Sequence, residues 1–314
     1  MNSQVVHHTG IGGSNGLKDD DDLLLQLLGD WPERGVTGSD LLREEPYDGY
    51  RLQTILLELD GQERAPISVA LPLELKAPYP LVVFNHSHGG NYALGRNELV
   101  RGAGYLLQPS FAKALTDMGY AVCCMDMRGF NERSGKAESE LVKEMLWQGQ
   151  VLWGMMLYDN QRLLDYMLER SDIDGSRIAT IGMSMGGLMA WWLGAIDERV
   201  RVVVDICGQV DAHTLIAKRG LDHHGFYSYV PGLLKHFTTL DIQKRIVPRP
   251  RMSLNGRHDR LCPIEGVELL AKGLREAYAA AGSPEHWQSV ETGGGHIETA
   301  EMRAAWQRFL ARYL

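Results

Sequence analysis

The chain has 314 residues, 44% of them hydrophobic and 23% charged. That suits one large globular domain with an insertion, or at most two domains, with a sizeable core. A formal net charge of −8 offers no basic face to a nucleic acid, and no apolar run approaches the length of a membrane span.

Residues 1–22 read as a flexible N-terminal segment. Residues 1–16 are rich in Gly, Ser, Asn and His, without the basic and apolar regions of a secretory leader. The charge run 18–22 leads into a short helix over 23–28, started by the aspartates. A single domain is expected over 23–314. Residues 50–59 and 67–71 alternate as two antiparallel strands around Asp60-Gly61. Leu81-Val82-Val83-Phe84 is a short, wholly apolar strand of the buried kind.

A helix follows over 109–118, then a strand over 120–125. Residues 138–169 are helical, with a break at Gly149 or Gly154. Ile178-Ala179-Thr180-Ile181 is the next strand, followed by a helix over 188–196 and a strand over 200–206. Residues 209–247 interrupt this rhythm with His, Tyr, Phe and four punctuating Gly and Pro residues, and read as a helical cap insertion. Strands at 251–256 and 287–290 and helices at 264–281 and 299–313 close the chain. Alternating strands and helices predict an α/β architecture, a mostly parallel central sheet covered on both faces. Cys123, Cys124, Cys207 and Cys262 have no zinc-like spacing and read as buried thiols of a reducing cytoplasm.

The chemistry centres on Gly182-Met183-Ser184-Met185-Gly186-Gly187. An apolar strand runs into Gly-x-Ser-x-Gly and a helix leaves it, the context of a nucleophile elbow. A serine hydroxyl is a weak nucleophile and needs a base, which in turn needs an orienting acid. Along the chain the expected order is Ser, acid, His. Ser184, Asp259 and His296 occur in that order, each just past an apolar strand.

His258, His286, His223, His224 and His236 compete for the base, and His286 lies at the wrong end of its strand. Asp205 is the second candidate acid. The N–H of Met185 opens the helix and is an oxyanion donor. A second donor is expected from His88 or Gly89, in the loop that follows the 81–84 strand. His86 and His88 form hydrogen bonds within that loop rather than a metal site. His224, Phe226, Tyr227 and Tyr229 of the cap are candidates for the substrate pocket, whereas most of Trp147, Trp153, Tyr158, Trp191 and Trp192 read as core.

These stretches resemble the α/β-hydrolase superfamily, and more narrowly its Ser-dependent dienelactone hydrolase and acetyl xylan esterase-like group. The resemblance covers roughly residues 50–314. It rests on Phe84-Asn85-His86-Ser87-His88-Gly89-Gly90, Asp126-Met127-Arg128-Gly129, the Ser184 motif, Asn255-Gly256-Arg257-His258-Asp259 and Gly295-His296. It implies hydrolysis of short-chain or acetyl carboxylic esters through an acyl-enzyme, with no cofactor and no metal. Dienelactone hydrolases proper carry Cys where Ser184 stands, which favours simple esters over lactones. Arg128 resembles the arginine that the group carries on this loop. A serine peptidase of prolyl-oligopeptidase type, a thioesterase and a non-catalytic binding module are the alternatives. The partner expected is a small ester; a homo-oligomer is left open.

Overall fold

A computed structural model describes residues 16–35, 38–61 and 63–314. In chain order the elements begin with α1 (Gly16–Leu27), β1 (Ser39–Tyr47), β2 (Tyr50–Glu58), β3 (Arg64–Pro72) and β4 (Tyr79–Asn85). Next come α2 (Glu98–Arg101), α3 (Phe111–Asp117), β5 (Ala121–Met125), α4 (Glu138–Trp147), α5 (Leu152–Glu169), β6 (Ile173–Met183), α6 (Met185–Ile196) and β7 (Val202–Ile206). Then follow α7 (Ala212–Ala217), α8 (Thr239–Lys244), β8 (Arg251–Gly256), α9 (Ile264–Ala280), β9 (Trp287–Thr292) and α10 (Ala300–Tyr313).

Among the described residues nine strands form one sheet, in the order β1-β2-β3-β5-β4-β6-β7-β8-β9. Its β1–β3 end is antiparallel, and every pairing from β5 through β9 is parallel. Parallel strands covered on both faces read as unbroken apolar runs, and β4, β5, β7 and β8 are buried along their whole length. Side chains alternate between two cores. Leu81 and Val83 join Trp153, Leu157 and Met189 on one face; Val82 and Phe84 join Phe111, Trp306 and Phe309 on the other. Helices α5 and α6 cover the first face, and α3 and α10 the second. Among the described residues no helix is long and apolar enough to cross a membrane.

Two features depart from the sequence reading. Helix α1 takes in residues 16–22, which were expected to precede it; residues 1–15 lie outside the described residues. Leu24 and Leu28, one turn apart, anchor it in the first core. Strand β1 went unpredicted: it is the sheet edge, and its side chains are almost all exposed. The helical stretch 138–169 breaks at Gly149, which takes a positive φ of 77°. Gly154 stays inside α5, where a Cβ would stand 1.8 Å from the Leu28 carbonyl oxygen.

The helical segment 209–247 links β7 to β8. It carries α7, capped by Asp211, and α8, which opens on a reciprocal capping box between Thr238 and Asp241. Three 3₁₀ turns lie between them, at Leu221–His223, Phe226–Ser228 and Leu233–Lys235.

Candidate active site

Ser184 sits between the end of β6 and the start of α6 at φ 57°, ψ −120°. A positive φ is costly for a residue with a Cβ and persists only when its surroundings hold it. Here Ser184 N–H donates to Ile206 O at 2.8 Å, and Ser184 O accepts from Leu188 N–H at 2.8 Å. The flanking glycines let backbones meet: a Cβ on Gly182 would lie 2.3 Å from Gly186 O, and one on Gly186 2.0 Å from Asn85 O. Met185 is the first residue of α6, so its N–H has no acceptor within the helix.

The ends of β8 and β9 bring the acid and the imidazole together. His258 N–H donates to Gly294 O at 3.0 Å and Arg257 N–H to Thr292 O at 2.9 Å, which ties the two loops. His296 Nδ1 lies 2.7 Å from Asp259 Oδ2. Asp259 Oδ1 accepts from the amides of Leu261 (2.8 Å) and Cys262 (3.2 Å). Burial opposes ionisation of Asp259. The hydrogen bond and charge of His296 and the two amides outweigh it and hold the carboxyl below its ordinary value. With Nδ1–H donating to a carboxylate, Nε2 is left as the basic nitrogen. Among the described residues Nε2 is buried and unpartnered, and His296 and Ser184 line the same pocket.

Asp205 is placed otherwise. It is fully buried, accepting from Ser253 Oγ at 2.6 Å and from Arg251 at 3.1 Å. Arg251 is itself fully buried. Asp205 is thus the counter-ion of a core arginine. His286 Nδ1–H donates to Pro248 O at 2.7 Å on the surface, and His258 lines a separate surface cleft with Lys218 and Arg257. Arg128 is held by Asp159 (2.8 and 2.9 Å) and Glu63, away from the pocket.

The loop after β4 is rigidly wired. His86 is buried; its Nε2 accepts from Met127 N–H at 3.0 Å, so Nδ1–H donates to Ser87 O at 2.9 Å. Burial, with the charges of Arg96 and Arg133 beyond, pulls the His86 pKa down to about 4. Ser87 N–H donates to Glu98 Oε1 at 3.0 Å, and Tyr105 OH donates to Glu98 Oε2. Burial pushes the Glu98 pKa up to about 7. His88 Nδ1 accepts from Gly90 N–H at 2.9 Å, which leaves Nε2–H facing Tyr227 OH at 3.4 Å. The amides of Ser87 and Gly90 are therefore engaged. Those of His88 and Gly89 make no hydrogen bond among the described residues.

The pocket over Ser184 encloses about 270 Å³. Its walls include Tyr105, His88, Gly89, His224, Tyr227 and His296. Of the four pocket residues expected from the 209–247 segment, His224 and Tyr227 line it. Phe226 is 57% exposed, and Tyr229 lines a neighbouring chamber instead. Tyr105 and Glu98 escaped the sequence reading, for no motif marks them. Cys207 Sγ, Asp259 and His296 offer ligand atoms within 4.8 Å of one another. Burial and the Asp259 charge push the Cys207 thiol up, so it rests protonated beside the His296–Asp259 pair.

Residues 108–314 match the family model described as the prolyl oligopeptidase family. The chain belongs to this family. It is 50% identical over 291 residues to "Putative hydrolase YtaP" of Bacillus subtilis, an alignment covering 93% of this chain and 97% of that one. The fold is that of the α/β-hydrolases. A "putative acetyl xylan esterase" of Bacteroides fragilis superposes with a TM-score of 0.73 at 17% identity, covering 93% of this chain and 86% of the other. A glucuronoyl esterase from Solibacter usitatus gives 0.71 at 14% identity, covering 95% and 92%.

Proposed function

We propose that the protein is a serine-dependent hydrolase of carboxylic esters. The observation that carries this reading is the His296–Asp259 hydrogen bond, which leaves His296 Nε2 as a base in the pocket of Ser184. His296 Nε2 takes the proton of Ser184 as Oγ attacks the ester carbonyl, and Asp259 orients and stabilises the imidazolium. The amides of Met185 and of His88 or Gly89 hold the oxyanion. The imidazolium then protonates the departing alcohol, and water repeats the cycle on the acyl-enzyme. These side chains complete the chemistry without a cofactor. Esterases among the fold's relatives fit the same chemistry.

The test is a burst assay with p-nitrophenyl acetate and butyrate on wild type and Ser184→Ala. A burst equal to the enzyme concentration, lost in the variant, is the expected result. Folded wild-type protein that turns over neither ester would sink the proposal. The family match favours a second reading, amide hydrolysis by a peptidase of prolyl-oligopeptidase type. Proline-containing peptide p-nitroanilides, run beside the esters at matched concentration, decide between the two.

A further inference from the structure

Beneath the 209–247 segment, beside the Ser184 pocket, lies a second chamber of about 210 Å³. Trp191, Trp192, Leu215, Val230, Leu233 and Ile242 give it apolar walls. A void of about 20 Å³, bounded by Ser184, Met185 and His296, stands between the two spaces. Leu188, Val210, His224 and Ser228 line both the void and the chamber. The void is therefore a waist about one water wide. Helix α6 runs along the whole route: Leu188 lies about 6 Å and Trp192 about 12 Å along the axis from Ser184.

We propose that this chamber receives the apolar acyl chain of the ester, so that the preferred substrates carry medium-length alkyl acyl groups. The proposal rests on the ester-hydrolase reading. In the acyl-enzyme the carbonyl carbon is bonded to Ser184 Oγ, with its oxygen on the Met185 amide. The chain therefore departs beside Met185 and Leu188, where the waist begins. The bond formed is Ser184 Oγ to acyl carbon and the bond broken is acyl carbon to alkoxy oxygen; the serine proton leaves with the alcohol through His296. Water then supplies hydroxyl to the acyl carbon and returns the proton to Ser184.

The alcohol side faces the polar part of the pocket, walled by His88, Gly90 and His223. An apolar cavity of about 150 Å³ already takes a benzene-sized guest, so the chamber holds several methylenes. Its gate is His224, whose ring is held by one hydrogen bond to Leu261 O at 3.0 Å. Burial keeps that imidazole neutral, which lets it border an apolar chain.

The experiment is kcat/KM for p-nitrophenyl acetate, butyrate, hexanoate and octanoate on wild type and Ala212→Trp. Ala212 lines the chamber but not the waist, so an indole there fills the space away from Ser184. Each methylene buried raises kcat/KM up to about fourfold. Wild type is expected to gain at least about tenfold from acetate to hexanoate. Ala212→Trp is expected to flatten the series, losing at least about tenfold in the hexanoate-to-acetate ratio of kcat/KM. Leu234→Trp, at another residue of the chamber wall, replaces it if Ala212→Trp fails to fold. Octanoate binding by calorimetry, which needs no turnover, is expected for wild type and lost in the filled variant. A flat or falling series in wild type that turns over acetate overturns the acyl assignment and leaves the ester reading standing. Absence of octanoate binding overturns it too, even if no ester is hydrolysed.

Discussion

His296 Nδ1 meets Asp259 Oδ2 at 2.7 Å, while the other oxygen of that carboxylate is occupied by the amides of Leu261 and Cys262. Asp259 is thereby fixed as an acceptor on both sides, and only one tautomer of His296 satisfies it. Asp259→Asn would set a donor against Nδ1–H or reverse the tautomer. The expected fall in kcat is about 10³–10⁴-fold, with the fold retained. Steady-state kinetics beside a thermal melt checks this; near-normal kcat would assign the acid elsewhere.

Asp205 predicts the opposite pattern. Its removal strands the Arg251 guanidinium in the core, between the rings of Trp191 and Trp287. Asp205→Ala is expected to lose about 3–5 kcal/mol of stability. The fraction still folded keeps its kcat. Urea titration and kinetics at low temperature separate the two effects.

His86 makes the protein less stable in mild acid. Its native pKa is about 4, below the roughly 6.5 of an unfolded histidine. Between those values the unfolded chain binds a proton that the native state refuses. Stability therefore falls as pH drops from 6.5 toward 4, by roughly 3 kcal/mol for this residue. His86→Gln, which keeps a donor and an acceptor, is expected to remove that slope. Unfolding free energies at pH 7.5 and 4.5 test it.

Glu98 works in the other direction. Burial raises its native pKa to about 7, above that of an unfolded glutamate, near 4.3. Between those values the native state holds the extra proton, so stability falls as pH rises through this window and stays lower above it. Glu98→Gln is expected to be more stable than wild type at pH 8 and nearly equal to it at pH 4. A wild-type advantage at pH 8 would contradict this.

The elbow tolerates no added methyl. Gly186→Ala would drive a Cβ to 2.0 Å from the Asn85 carbonyl, a backbone atom with nowhere to move. A loss of about 3 kcal/mol or more is expected, seen as insoluble protein or a sharply lowered melting temperature.

Much of this molecule was legible in its sequence because burial leaves a local mark. The apolar runs within β4, β5 and β7 and the Gly-x-Ser-x-Gly between strand and helix depend on residues near one another in the chain, and the order Ser184, Asp259, His296 is read directly along it. Strand β1 left no such mark: an edge strand whose side chains face water on both sides has no hydrophobic period to read. The sequence already favoured Asp259 over Asp205 as the acid, but the partner that engages Asp205, Arg251, lay beyond it. That residue reaches Asp205 only because β8 lies beside β7 in the sheet. The same holds for Phe226 against Tyr227, neighbours in one 3₁₀ turn that face water and pocket respectively, and for Tyr105 in the pocket wall with Glu98 bonded behind it. Periodicity records which face of an element is buried; which partner it is buried against is decided by long-range packing.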